Sequence, residues 1–485
     1  MDIFSIVVQP PAGELMAAHR PIQFSVSADA VVPSGQPMYC DVYFSSSVPK
    51  FYKTLTGYSY IDIGGHSIYN FDIQDTAQEF LTVFLPFIMT GATQAAASGG
   101  VSGKHLIDCF CRFRGSSYVA GILVPNATVP IQGTDTSAPV AGTGTDSHVF
   151  KVMKATLRPM DAPKLLDHMA KYRLPISYNA GTSTYTYGAV YPLSNIPYNP
   201  TKVSINNFPS TNTIPAPTDR PEKAIDVYYG DHGFMPVYLP ATLGTAIRIW
   251  VLFYTSADAP VDGAQNATTP SYVTLTEGIW YLPYGQVDLI AIGGGAPNLG
   301  PFLRDHIQFP YYRVQLTEPV VGAGQIEYFI SPMFRNLKKG YQNTRLWFQN
   351  NFGVFEQVSF IRQEEQFKTS SSSRFTPLST VGLTSSARLD ANTGNKRFNV
   401  TSNDEIEVTA VFAEVMMPWL KELLATSMAY MEVEDPELAL STTPQGLMPV
   451  MITDAGFETI KTEERYEYLV KVKFTKSIDY INIRN

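Results

Sequence analysis

The sequence predicts a mainly β protein: two or three immunoglobulin-like or β-sandwich modules, closed by a small α+β C-terminal domain. Apolar residues recur at every second position in several short stretches, as in Ile22, Phe24 and Val26 and again in Cys40, Val42 and Phe44. This spacing turns one strand face into a core. Pro and Gly, at 35 and 34 of 485 residues, interrupt the chain often enough to demand many turns. Aromatic residues reach 12% while charged residues make up only 16%, a low-charge, turn-rich balance that suits layered sheets and extended loops.

The length implies two to four domains at roughly 100–200 residues each. Residues 1–155 form an N-terminal β domain. Within it, Asp75 followed by Gln78 gives a capping-box-like start to a short helix carrying Phe80, Leu81 and Phe84. HLIDCFCRF and YVAGILV follow as strands, with Ile107, Cys109, Cys111 and Phe113 on one face. Residues 127–147 are rich in Thr, Gly, Ala and Pro and read as a long exposed loop. Residues 156–222 connect this domain to the next: a helical turn or two after Asp161 and Pro163, then a segment with four prolines after Phe208 that marks a domain boundary.

Residues 223–320 make a second sandwich-like domain, with AIDVYY, FMPVYL, AIRIWVLFY, YVTLT and QVDLIAI as strands at short spacing. A third β unit spans 321–400 and holds the stretch around which the chain is organised, RLWFQNNFGVFEQVSFIRQEEQFK from Arg345 to Lys368. Two apolar runs there flank Asn350, Asn351 and Gly353, residues that tolerate the positive φ of a tight hairpin. In the α+β domain at 401–485, Ile406, Val408, Ala410 and Phe412 alternate with polar residues. Pro418 opens a helix with Trp419, Leu420, Leu423 and Leu424 on one face. Tyr466, Tyr468, Val470, Val472 and Phe474 form the apolar face of a final strand.

The net charge of −8 is spread without runs of like charge, so direct nucleic-acid binding is not expected. The N-terminus has an acid at position 2 and Pro-Pro before any apolar run lengthens, unlike a signal peptide. The longest apolar run, FLTVFLPFIM at 80–89, is about half the ~20 residues of a membrane span. Cys40, Cys109 and Cys111 imply no disulfide framework, and buried thiols fit better than a zinc site that would need four ligands.

Motifs for chemistry are weak. IGGGAPNLG at 292–300 lacks the Gly-Lys-Ser/Thr of a phosphate loop and shows no helix signal after it, so it reads as a turn. His19, His66, His105, His148, His168, His232 and His306 are dispersed without HxH or HExxH spacing. Asp72 and Asp75 lack the glycine and terminal Glu of a calcium loop and read as caps. Glu364 with Glu365, and Glu463 with Glu464, sit in polar contexts where nothing raises a carboxyl pKa for acid catalysis. NAT at 126 and 266 and NVT at 399 match glycosylation acceptors, which mean little without secretion. No catalytic, cofactor-binding or metal-ligating residue is assigned, and an enzyme is not expected.

Three segments in order, RLWFQNNFGVFEQVSF, MPWLKELLATS and PVMITDAGFETIKTEERYEYLVKVKF, resemble a family of virion structural proteins from tailed phages of Bacteroidetes-type hosts, including the crAss-like phages. The resemblance covers about residues 325–485, and more loosely QPPAGELMAAHRPIQFSV and FDIQDTAQEFL. The chain departs from the family pattern at Gln349 and at Phe352, which stands between Asn351 and Gly353. The resemblance implies a noncatalytic component of the tail, neck ring or baseplate that assembles as a symmetric, ring-like homo-oligomer. Its partners would be adjacent tail, neck or portal proteins, with a host receptor as a further candidate, and its place the virion after assembly in host cytoplasm. One alternative is a receptor-binding protein that recognises host-surface glycans through exposed aromatics such as Trp280 and Tyr281. Another is a jelly-roll capsid protein, which the absence of an internal repeat disfavours.

Overall fold

The computed structural model describes residues 4–28, 36–45, 50–61, 67–81, 105–119, 122–125, 130, 132, 145–156, 165–170, 172–173, 175–179, 182, 184–196, 225–228, 231–243, 247–254, 267–273, 275–292, 299–318, 327–338, 344–375, 396–413, 416–433, 446–462 and 465–476. The architecture is mainly β, as the periodicity predicts. The chain divides into two compact units. One comprises Met1–Lys339, Gln349–Gln357 and Pro418–Leu423, the other Gly340–Phe348, Val358–Met417 and Leu424–Asn485. The proline-rich segment expected at 200–222, most of the loop at 127–147 and most of the apolar run at 80–89 lie outside the described residues.

The first unit opens with a β-sandwich. A four-stranded sheet runs in the order β1 (Phe4–Val8), β3 (Gln23–Ala28), β7 (Ser67–Asp72), β6 (Ser59–Ile61). A five-stranded sheet runs β2 (Leu15–Ala17), β11 (Phe150–Met153), β8 (Leu106–Arg114), β4 (Met38–Ser45), β5 (Lys50–Gly57). Phe24, Val26, Tyr69 and Phe71 from the first, with Ile22 just before β3, meet Cys40, Val42, Phe44, Cys109, Cys111, Phe113, Phe150 and Val152 from the second in one core. Phe24 contacts the rings of Phe113 and Phe150 at 5.6 and 5.9 Å. The expected alternation is therefore real, but the second face of β4 and β8 is not wet. Tyr43 and Phe110 stack there at 4.7 Å beside Phe51. Asp41, 1% exposed, is held by Arg114 Nε at 2.6 Å and by the Thr54 hydroxyl at 2.5 Å.

Helix α1 (Gln74–Phe80) packs against this core. The expected Asp75–Gln78 capping box is corrected: Ile73 is the N-cap and bears no side-chain cap bond. Asp72 orders the entry instead, its Oδ1 accepting from Ile22 N at 3.0 Å and Gln74 N at 2.9 Å. Hairpins β9 (Ser116–Val119) with β10 (Ile122–Pro125), and β12 (Pro175–Asn179) with β13 (Thr184–Tyr187), flank the short helix α2 (Leu165–Ala170) in sequence.

Two further sheets complete the first unit. β14 (Tyr191–Pro192), β16 (Phe234–Leu239) and β19 (Gly278–Pro283) form one. β15 (Ile225–Tyr228), β22 (Phe334–Leu337), β20 (Tyr311–Thr317), β17 (Ile247–Tyr254) and β18 (Ala267–Val273) form the other, with β21 (Glu327–Ile330) on β20. Residue 320 thus stands between two strands that pair with each other. QVDLIAI, expected as a strand, is helix α3 (Gln286–Ile292), and α4 (Leu299–Arg304) follows the Gly-rich stretch that gave no helix signal. Asp288 explains the first difference: it lies in the first turn of α3 and accepts the Gly233 N–H at 2.7 Å, tying the helix start to the residue that leads into β16.

The second unit carries most of a seven-stranded sheet. Its order is β24 (Phe355–Phe360), β23 (Thr344–Gln349), β27 (Ala429–Val433), β28 (Gly446–Thr462), β29 (Arg465–Lys476), β26 (Lys396–Ala413), β25 (Arg362–Phe375). Residue 400 stands inside β26. The predicted apolar faces meet in register: Ile406 opposite Phe474, Val408 opposite Val472, Ala410 opposite Val470, and all six are buried. A one-residue slip would bring Glu407 and Lys473 to that face, so the pattern itself fixes the pairing.

Candidate functional site

The hairpin expected at Asn350–Gly353 forms as read. Asn350 N donates to Val354 O at 2.8 Å, Gly353 N donates to Asn350 O at 2.9 Å, and Gly353 adopts φ 75°. The turn is packed as well as tight, because a Cβ on Gly353 would stand 1.6 Å from the Lys154 carbonyl oxygen. Asn351 also reaches this region, its carbonyl accepting from Thr156 N at 2.6 Å. These contacts hold the turn against the end of the N-terminal sandwich, and all of them lie within the first unit.

Next to the turn lies a pair of buried carboxylates that sequence reasoning missed. Glu356 is 4% exposed and Glu422, on helix α5 (Met417–Ala425), is 6% exposed. Glu356 Oε2 accepts from Asn350 Nδ2 at 2.8 Å and Trp419 Nε1 at 3.1 Å. Glu422 accepts from Asn351 N at 3.0 Å and from Asn195 Nδ2. Asn350 Nδ2 donates also to Leu193 O at 2.7 Å. Burial, reinforced by the nearby Glu422, pushes the Glu356 carboxyl up to about 8 from an ordinary 4.5, against the opposing hydrogen bonds from Ser194, Asn350 and Trp419. Glu356 therefore holds a proton at neutral pH, which removes the cost of two buried charges side by side.

Local context hid both residues. Glu356 follows Phe355 in an alternating strand, where period 2 assigns it to solvent, yet β24 is buried on both faces around it. Glu422 lies three residues after Trp419 and shares its helix face. That spacing was the one available signal. The acid pairs weighed from the sequence, Glu364 with Glu365 and Glu463 with Glu464, lie outside the described side chains.

His66 lies outside the described residues, and among those described the remaining candidates are dispersed, as their spacing implies, with one exception. His232 Nδ1 lies 2.7 Å from Asp288 Oδ1, and Asp288 is buried at the start of α3. His105 and His168 are core residues, and His19, His148 and His306 stand apart from one another in sequence and partners. Cys40, Cys109 and Cys111 are free and buried in the sandwich core, and burial pushes the Cys40 and Cys111 thiols up. Trp280 and Tyr281, expected as exposed aromatics, are corrected: they are 5% and 1% exposed, because all six residues of β19 are covered. Trp280 Nε1 is spent on Thr276 O at 2.8 Å.

A cavity of about 20 Å³ lies beside Glu356, lined mainly by Ile225, Phe234, Met235, Tyr284, Phe334 and Trp419. It has room for about one water. Among the described residues, no group of three or more His, Cys, Asp or Glu side chains is placed to hold a metal ion, and no helix is long and apolar enough to cross a membrane. No protein-family model matches the chain, and no curated protein is similar to it.

Proposed function

We propose that this chain is a noncatalytic structural component of a tailed-phage virion, built as a symmetric oligomer into the tail, neck ring or baseplate. One observation carries the reading: strands β25, β26 and β28 run for 14, 18 and 17 residues. Strands of globular domains are mostly about 5–6 residues long. Strands that long offer far more backbone than one sheet core needs, and extended ribbons with open edges are what neighbouring subunits use for β-augmentation. The three segments that resemble phage virion proteins fall on the same region.

The interior supports this reading. Glu356 and Glu422 accept from Asn350, Asn351, Trp419 and Asn195, an arrangement that fixes the turn, α5 and the segment before residue 196 against one another. A glycan-binding role loses the aromatic pair that motivated it, since Trp280 and Tyr281 are core residues. Partners are further copies of the chain and adjacent tail, neck or portal proteins. Mass spectrometry of purified particles, with negative-stain imaging of the isolated protein, tests the proposal. The chain is expected in the particle and as rings in isolation; a stable monomer absent from particles overturns the reading.

A further inference from the structure

β25 is the last strand in the order of the seven-stranded sheet, and among the described residues it pairs only with β26. Among the described residues its far edge presents a row of backbone N–H and C=O groups over 14 residues, about 45 Å of strand. Edge strands that stay unpaired are kept short or broken by proline or bulges. β25 is neither short nor broken: its pairing with β26 runs from Arg362 opposite Thr409 to Phe375 opposite Lys396, it holds no proline, and the edge device it does carry is charge, at Arg362, Glu364, Glu365, Lys368 and Arg374.

Its charge is also polarised. RQEEQFKTSSSSRF places Glu364 and Glu365, next to Arg362, near one end and Arg374 near the other, with Lys368 and the uncharged run Ser370–Ser373 between them. A strand with this pattern complements a reversed copy of itself. Centred on Thr369, an antiparallel self-pairing sets Glu364 opposite Arg374 twice, by symmetry, and sets Lys368 opposite Ser370, so no like charges face each other. In-register parallel pairing would instead oppose Glu364 to Glu364, which is destabilising.

We propose that β25 is a two-fold assembly edge, pairing antiparallel with β25 of a second copy of this chain and held in register by Glu364 and Arg374. The contact is isologous, so both ladders and both ion pairs form at once. It rests on the assembly role proposed above and names the partner and the surface; a ring built through other surfaces would pair back to back through this edge.

Sedimentation of the full chain across a concentration series tests it. Wild type is expected to form dimers or even-numbered assemblies. Glu364→Arg and Arg374→Glu each replace attraction by repulsion at two symmetric positions and weaken self-association about tenfold or more. The double variant, which swaps the charges within one chain, restores association, and so does mixing the two single variants. Single variants that associate like wild type, or a double variant no better than either, overturn the proposal. Should a reversal unfold the chain, hydrogen exchange of wild type gives a second readout: protection of the 362–375 amides rises with concentration, and a flat response overturns the pairing. Rings unaffected by either reversal refute the β25 edge and leave the assembly role standing. A monomer absent from particles refutes both.

Discussion

Trp419 Nε1 donates to Glu356 Oε2 at 3.1 Å with both side chains buried, and Asn350 Nδ2 donates to the same oxygen at 2.8 Å. One carboxyl thus ties the hairpin turn to helix α5 inside the first unit. Removing it takes this acceptor from the Trp419 indole N–H and from one of the two Asn350 amide hydrogens, the other being held by Leu193 O, at about 1–3 kcal/mol each. Glu356→Ala is expected to cost about 3–5 kcal/mol, whereas Glu356→Gln keeps a carbonyl acceptor and costs about 1 kcal/mol near neutral pH. Urea unfolding followed by tryptophan fluorescence separates the two.

The same carboxyl sets a pH dependence. Its pKa is about 8 in the folded chain against an ordinary 4.5, so between those values the folded state binds the extra proton. Its contribution is fully present below about pH 4.5, declines as pH rises, and is lost through pH 8, a swing on the order of a few kcal/mol. Wild type is expected to lose stability over this window more steeply than Glu356→Gln. Parallel pH profiles of the unfolding midpoint would refute the assignment.

Gly353 and Gly13 separate backbone strain from packing. Both have positive φ, 75° and 71°, but a Cβ meets the Lys154 carbonyl oxygen at 1.6 Å in the first case and nothing within 4 Å in the second. Gly13→Ala is expected to cost about 1–2 kcal/mol, the left-handed penalty alone. Gly353→Ala must also displace backbone and is expected to cost more than about 4 kcal/mol or to abolish soluble expression. Equal losses in chemical denaturation would contradict the packing account.

The hairpin and the second-unit strands were legible because their signals are local. Asn350 and Gly353 dictate a turn by their own φ preferences, and Ile406 to Phe412 carries the strand period in consecutive residues. QVDLIAI was not: a seven-residue apolar run serves helix or strand equally, and what decides is Asp288 capturing Gly233 N–H, a contact made 55 residues away. The carboxylate pair was hidden for the same reason. Period 2 assigns Glu356 to solvent, and only the packing of distant segments, Ser194 and Trp419 among them, buries it. Trp280 and Tyr281 failed in the opposite direction, since residue type cannot tell an exposed aromatic from one in a strand covered on both faces.

The register between β26 and β29 predicts where charge is dispensable. Glu407 lies opposite Lys473, with Oε2 and Nζ 3.4 Å apart and both side chains partly exposed. A pair of this kind contributes about 0.2–1 kcal/mol. Val408 and Val472, directly opposite each other one residue on, are fully buried. A double-mutant cycle on Glu407 and Lys473 is expected to return a coupling below about 1 kcal/mol that shrinks with salt, while Val472→Ala alone costs about 2 kcal/mol. A larger cost for the charge pair than for the valine would mean that register is held by electrostatics rather than by the apolar face.

Cys40, Cys109 and Cys111 lie in the sandwich core at 0–1% exposure, and burial holds the Cys40 and Cys111 thiols well above the ordinary range. The thiolate is the reactive species, so both burial and protonation act against modification. In native buffer at pH 8 the chain is expected to react with a disulfide reagent only at the rate of core opening, with all three thiols titrating at once in denaturant. Because opening the core exposes Phe24, Phe113 and Phe150 together with the thiols, labelling should slow whenever global stability rises. Fast native labelling of one cysteine would show that β4 and β8 open locally, which their pairing over Tyr39–Ser45 and Asp108–Arg114 argues against.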